Sequence, residues 1–149
     1  MTLKEDIYHA CLKTLDDKIE IAKSSMEAAQ ESANNETKSS AGDKYETGRA
    51  MSQNERDMYA KQFTDLLHQK KVLGSIDPKK KMSTVESGAL VKTEKGLFFI
   101  SISIGLVRGK MNQAMAISPI SPIAQQMLGK REGETFDWMK KSEQILEVL

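Results

Sequence analysis

The sequence predicts an α+β protein in which a long N-terminal antiparallel helical hairpin is followed by a small antiparallel β domain with one short helix. In the first half, apolar residues recur at helical spacing, and no proline or glycine interrupts residues 3–41. After Gly74 the pattern changes to short alternating apolar stretches separated by turn residues. We therefore assign residues 1–75 to a coiled-coil hairpin and residues 76–149 to the β domain.

The first helix is indicated by apolar or small residues that recur at alternating steps of three and four. Their side chains become smaller along the helix, so a partner helix can approach more closely towards its end. Cys11 falls among apolar positions and is predicted to be a buried thiol. The seam consists of Tyr8, Leu12, Leu15, Ile19, Ala22, Met26, Ala29 and Ala33.

A polar stretch from Asn34 to Gly42 breaks this pattern and predicts a turn. A second helix then runs to about Leu73, and Gly74 is a suitable stop. A short connection makes the two helices antiparallel neighbours. The apolar set of the second helix is less regular than the first, and it consists of Met51, Met58, Tyr59, Phe63, Leu66, Leu67 and Leu73.

The second half contains strand-like stretches at residues 88–93 and 96–105, joined by a turn at Glu94–Gly96. Alternation in the second stretch predicts one buried face and sends Phe98 and Phe99 to opposite sides. Residues 114–117 and 144–149 are predicted to be further strands. Between them, Pro122 opens a short helix and Gly129 ends it.

Charge and cysteine content exclude several classes of protein. The net charge is +1; residues 1–75 hold 11 basic and 13 acidic side chains, and the remainder holds 11 and 8, so the two parts carry −2 and +3. A general affinity for nucleic acid is not supported, and Lys79–Lys81 is expected to be a solvated linker. A single cysteine allows no internal disulfide, and no structural zinc site is expected. No apolar stretch is long enough for a membrane span, so we expect a cytoplasmic protein.

The segment from Ile117 to Glu134 reads Ile-Ser-Pro-Ile-Ser-Pro, then a short helix, then Leu-Gly-Lys and a Gly-containing turn. This segment resembles the signature of the Gre family (GreA/GreB-like) of bacterial transcript-cleavage factors. The resemblance implies an N-terminal helical hairpin followed by an FKBP-like β domain. It also implies RNA polymerase as the partner, and nascent RNA at the polymerase active site.

The Gre family carries a Gly-Asp-x-x-Glu element that opens the second helix of the hairpin, and Gly42-Asp43-Lys44-Tyr45-Glu46 has this spacing. Residues three apart on a helix share a face, so both carboxylates could approach one cation, and oxygen ligands suit Mg²⁺. The resemblance implies that the hairpin enters the secondary channel of the polymerase. There Asp43 and Glu46 would share Mg²⁺ with the polymerase and stimulate its cleavage of backtracked RNA. The polymerase remains the enzyme, and this chain is expected to have no cofactor of its own.

A structural interpretation of the same residues stays open. Ser40-Ala41-Gly42-Asp43 fits a capping box, and Glu46 would favour the positive end of the second helix. The chain also departs from the family pattern after Glu46, where Thr47-Gly48-Arg49 replaces the usual residues, and Gly48 weakens the first turns of the helix. Cation binding and helix capping are compatible, since one sets the helix start that the other uses.

Docking on the polymerase is expected to use the β domain, and the protein is expected to be a monomer. A candidate basic edge of this domain consists of Arg108, Lys110, Lys130 and Arg131. The candidate docking residues are Ser118, Pro119, Ser121, Pro122, Lys130 and Arg131.

Three alternatives remain. A Gre-like regulator would occupy the same channel without stimulating cleavage. A peptidyl-prolyl isomerase would need an aromatic-lined pocket, for which the β domain offers only Phe98, Phe99, Phe136 and Trp138. An oligomeric coiled coil would use the seam of the first helix between two chains.

Overall fold

The computed structural model describes residues 1–36 and 43–149, with side chains for residues 1–35 and 47–149. The helices are α1 (Leu3–Glu36), α2 (Asp43–Gly74) and α3 (Pro122–Met127). The strands are β1 (Leu90–Thr93), β2 (Gly96–Ile100), β3 (Gly105–Arg108), β4 (Gln113–Ile117), β5 (Thr135–Trp138) and β6 (Lys141–Val148). A long helical hairpin followed by a sheet with one short helix confirms the predicted fold class. Of the helices in the described ranges, none is long and apolar enough to cross a membrane.

The chain forms two compact units. One unit combines Met1–Thr14 with Lys70–Leu149, and the other is the helical segment Leu15–Gln69. The first unit therefore contains the sheet together with the first turns of α1 and the last turn of α2. The predicted division at residue 75 stays a prediction, because compactness alone does not define an independently folding domain.

The seam predicted for α1 is confirmed from Leu15 onward: Ala22, Ala29 and Ala33 are also buried, and Ile19 and Met26 between them are half-buried. Before Leu15 the prediction was wrong in detail: Tyr8 and Leu12 are only half-buried. The fully buried side chains there are Ile7 and Cys11. In this part α1 belongs to the unit that contains the sheet, so it buries a different stripe. The burial of Cys11 confirms its prediction.

The predicted turn begins too early in the chain. Asn34, Asn35 and Glu36 continue α1, and the side-chain amide of Gln30 donates a hydrogen bond to Asn34 Oδ1 at 3.1 Å. Polar side chains one helical turn apart can support a helix in this way, so polarity alone did not mark its end. The rest of the predicted turn, including Ser40 and Gly42, lies outside the described residues.

The second helix ends at Gly74, as predicted. Its inward side is formed by the half-buried Tyr59, Phe63 and Leu66, whereas Leu73 is fully buried in the unit that contains the sheet. The other apolar side chains of the predicted set are exposed, namely Met51, Met58 and Leu67.

The sheet has six strands in the order β3-β4-β2-β1-β6-β5. The prediction of a wholly antiparallel sheet is wrong, because the sheet is mixed. Strands β2 and β4 pair in parallel, with Phe98 opposite Met115 and Ile100 opposite Ile117. Parallel neighbours need a crossover connection, and here that connection contains β3, which pairs antiparallel with β4 at one edge.

Both faces of the central strands are buried, which corrects the prediction of a single buried face. Phe99 and Ile100 are adjacent in β2, point to opposite faces, and are both inaccessible to solvent. Ile100 belongs to a core that includes Ala124 and Met127 of α3. Phe99 pairs with Leu90 of β1 on the other face. A strand that is buried on both faces is apolar at consecutive positions instead of alternating with polar residues, as Phe99 and Ile100 are.

The short helix starts at Pro122 and is followed by Leu128 and then Gly129, which has a φ of +82°. Glycine adopts this left-handed conformation without steric cost, so its predicted role as the helix exit is confirmed. Strands β3 and β5 were not predicted as separate elements. Strand β6 begins earlier than predicted, at Lys141.

Candidate functional site

The start of α2 is the first candidate site. The helix begins at Asp43, so Asp43 and Glu46 both belong to its first turn. Their side chains lie outside the described part of the chain, and the predicted shared cation site stays a prediction. Next along the chain, Thr47 and Arg49 are exposed, and the helix continues through Gly48 without a break. Elsewhere among the described residues, no group of three or more His, Cys, Asp and Glu side chains could hold a metal ion.

The hairpin that carries this helix start contains a cavity of about 460 Å³. Residues 18–25 of α1 and 59–69 of α2 line it, which places these two helix segments side by side. The α2 side also carries polar groups: Arg56 Nε and Gln69 Oε1 are buried and have no hydrogen-bond partner among the described residues. Close packing along α1 therefore depends on the small residues Ala22, Ala29 and Ala33.

The turn between β4 and α3 holds four of the predicted docking residues. Ser121 Oγ donates a hydrogen bond to the carbonyl oxygen of Ser118 at 2.7 Å, and Ser118 Oγ accepts one from the backbone N–H of Ile120 at 3.3 Å. The side-chain amide of Gln125 donates to the carbonyl oxygen of Pro119 at 2.7 Å. These bonds hold the turn so that Ile120 stands 83% exposed at its tip. The four residues are Ser118, Pro119, Ser121 and Pro122.

The other two predicted docking residues follow α3. The carbonyl oxygen of Lys130 accepts a hydrogen bond from the backbone N–H of Val85 at 2.8 Å, and Arg131 forms an isolated β-bridge with Thr84. Glu134 Oε1 accepts a hydrogen bond from the backbone N–H of Arg131 at 3.1 Å. Their backbones thus have a structural role, while the Arg131 side chain is exposed.

An apolar pocket of about 300 Å³ opens on the face of the sheet that bears α3. Phe98 lines this pocket. Phe99 lies on the opposite face of the sheet, as alternation predicted, and it is buried there. The ring of Phe98 is joined there by Phe136 and Trp138 of β5. We had not predicted this grouping, because β5 was not recognised as a strand; the alternating Thr-Phe-Asp-Trp is the signal that could have indicated it.

Two features shape the rim of this pocket. The ammonium group of Lys95 contacts Glu143 Oε1 at 3.0 Å, and the Glu143 side chain is only 6% exposed. In the turn between β5 and β6, Met139 and Lys140 have φ of 51° and 64°. Positive φ at both residues of a two-residue hairpin is the geometry of a type I′ turn, which matches the twist of the paired strands. This turn holds the exposed Met139 at the pocket's edge.

The residues of the predicted basic edge lie in two different places on the domain. Arg108 and Lys110 lie at the turn between β3 and β4, where they line a depression together with His9 and Lys13 of α1. Lys130 does not line this depression, and it follows α3 instead. The combination with α1 was missed because these residues are distant in the sequence.

No protein-family model matches the sequence, and no curated protein does. Among solved structures, the chain is similar to the transcription factor Gfh1, with 17% sequence identity, 91% of each chain covered and a TM-score of 0.36. A likeness at this level carries no argument about function. The residues and geometry of this chain have to carry it instead.

Proposed function

We propose that this protein is a Gre-like factor that binds RNA polymerase, inserts its helical hairpin into the secondary channel and stimulates cleavage of backtracked RNA. The observation that carries the proposal is the start of α2 at Asp43. Asp43 and Glu46 thus belong to the first turn of the second helix, which supports the position that the resemblance implies for them. The signature segment from Ile117 to Glu134 forms the predicted strand end, short helix and glycine turn.

The proposed chemistry requires two carboxylates next to the reacting phosphate. Positions three apart on a helix share one face, so residues 43 and 46 can approach the same cation. When bound, Mg²⁺ lowers the pKa of a coordinated water and polarises the phosphoryl group for hydrolysis. Asp43 and Glu46 would supply ligand oxygens and orient the attacking water, and the polymerase would supply the remaining ligands and the RNA.

The β domain is proposed to anchor the factor on the polymerase. The turn at residues 118–122 is held by its own hydrogen bonds, so little conformational entropy is lost when a partner contacts it. Ile120 is exposed at its tip, and the apolar pocket lies on the same domain, lined by Ile117 and Ile123 from either side of the turn. An exposed apolar group and a nearby pocket are the elements from which binding hot spots are built.

The test uses purified cognate RNA polymerase and backtracked elongation complexes. Asp43→Asn and Glu46→Gln should each retain binding but reduce stimulated cleavage about 10- to 100-fold, as expected when groups that support a metal site are lost. Glu55→Gln is the matched control, because Glu55 is an exposed carboxylate of the same helix outside the element. Ile120→Asp should weaken binding instead.

The outcomes separate the alternatives. If the unaltered chain binds polymerase but does not stimulate cleavage, the protein is the regulator without cleavage. If it does not bind polymerase, the proposal fails.

A peptidyl-prolyl isomerase is a second candidate, favoured by the pocket that brings Phe98, Phe136 and Trp138 together. Such an apolar site could strip water from a prolyl peptide bond and so lower the barrier to its rotation. A protease-coupled assay with a proline-containing peptide tests it. Activity lost in Trp138→Leu but kept in Leu106→Ala, which alters an exposed side chain of β3, would support this function; no activity in the unaltered chain would exclude it.

A further inference from the structure

The first turns of α1 are fastened to the turn between β3 and β4. Both carboxylate oxygens of Asp6 accept the backbone N–H of Lys110, at 3.0 and 3.1 Å. The turn is closed by a hydrogen bond from the N–H of Gly109 to the carbonyl oxygen of Asn112 at 2.7 Å. A Cβ atom on Gly109 would collide with the Asp6 carboxylate. The two segments therefore form one preorganised surface, which we call the α1–turn surface.

Three cations contribute to this surface. Lys13, Arg108 and Lys110 line a single depression and are all exposed. None of their side chains forms an ion pair with a described residue. The Asp6 carboxylate in the same depression keeps its negative charge when it accepts the backbone N–H, so three cations face one anion there. The surface thus presents an excess of positive charge on a chain whose net charge is only +1.

An apolar patch adjoins these cations. Met111 is 88% exposed at the tip of the turn, and it lines a second depression with Leu3 and the aliphatic part of Lys110. Methionine and arginine are enriched in protein–protein interfaces, where flexible apolar side chains adapt to a partner. Phosphate backbones offer nothing apolar to bind. A protein partner fits this combination better than a nucleic acid does.

We propose that the α1–turn surface binds an acidic segment of the RNA polymerase, with an apolar residue against Met111 and carboxylates against Lys13, Arg108 and Lys110. This inference rests on the proposed function and adds a contact separate from residues 118–122 and the apolar pocket. Complementary charge raises the association rate and sets the orientation of docking. The contact would align the base of the hairpin before its tip enters the channel.

The test compares charge reversal at this surface with a matched reversal elsewhere. Arg108→Glu/Lys110→Glu should weaken binding to purified cognate polymerase about tenfold at low salt, and less at high salt, because such contacts are screened. Lys79→Glu/Lys81→Glu changes the net charge equally at exposed positions that line neither depression of the α1–turn surface, and it should bind like the unaltered chain. Unchanged thermal unfolding of both variants establishes that they are folded.

A photoreactive group at position 111 identifies the occupant. The expected result is a crosslink to an acidic polymerase segment, lost at high salt. Equal affinity of both charge-reversal variants, or a crosslink only to RNA, would overturn the inference while leaving the proposed function standing. If the unaltered chain shows no affinity for polymerase, the proposed function falls and this inference with it.

Discussion

Both carboxylate oxygens of Asp6 accept a hydrogen bond from the backbone N–H of Lys110, which is 104 residues away in the sequence. The carboxylate lies directly against Gly109, at a point where no side chain fits. This contact joins the start of α1 to the turn between β3 and β4.

Because of this contact, substitutions of Gly109 and Asp6 should have effects on the free energy of unfolding that do not add. Gly109→Ala should lower the free energy of unfolding by about 1–3 kcal/mol, because the new methyl group displaces the Asp6 carboxylate. In an Asp6→Ala background the same change should cost much less, since the clash is gone. Urea unfolding of the four proteins in this cycle measures the coupling. Equal costs in both backgrounds would contradict the proposed clash.

Because the thiol of Cys11 is buried, we expect the stability of the protein to depend on pH. Burial raises the pKa of this thiol from 9.0 to about 12. Between these values the unfolded chain has lost the thiol proton and the folded chain has kept it, so this contribution to stability is complete below 9.0 and falls as the pH rises. Cys11→Ala should remove that part of the decline, as measured by unfolding across this pH range. The thiol of the native protein should react slowly with iodoacetamide until urea is added.

The buried ammonium group of Lys4 should make stability depend on pH with the opposite sign. This group is buried and donates hydrogen bonds to the main-chain oxygens of Lys80 at 2.8 Å and Leu149 at 3.3 Å. The pKa of this group is lowered from 10.5, mainly by desolvation. Between the lowered pKa and 10.5 the unfolded chain binds more protons, so this contribution rises with pH. Lys4→Met should abolish it and cost about 1–3 kcal/mol through the lost hydrogen bonds. Lys92→Met, at an exposed position, is the control. An unchanged pH profile in Lys4→Met would count against this assignment.

The small residues of α1 predict a steric limit within the hairpin. Ala29 is 5% exposed in the seam, so Ala29→Leu should destabilise the protein by about 1–3 kcal/mol through overpacking. Ala28→Leu adds the same side chain at an exposed neighbouring position and should be nearly neutral. Thermal unfolding of both variants gives the comparison. A stabilising effect of Ala29→Leu would show that the helices have room to spare there.

Features that depend on local spacing were predictable. The seam from Leu15 to Ala33 follows from heptad spacing, and the start of α3 at Pro122 and its exit at Gly129 follow from backbone preferences of single residues. The end of α1 was not predictable, because a helix passes through polar residues as readily as it stops at them. The pocket was missed because β5 was not recognised, and because its rings meet Phe98 only when distant strands come together in the sheet.

The sequence by itself determined the two helices, the change to strands after Gly74 and the opening of the second helix near Asp43, because each depends on residues a few positions apart. Only the tertiary structure decided which strands pair in parallel, which aromatic rings share a pocket, and that Arg108 and Lys110 lie beside Lys13 rather than with Lys130. The physical reason is the range of the interactions. A hydrogen bond such as that between Asp6 and Lys110 forms only after the intervening chain has folded, and no local pattern encodes it.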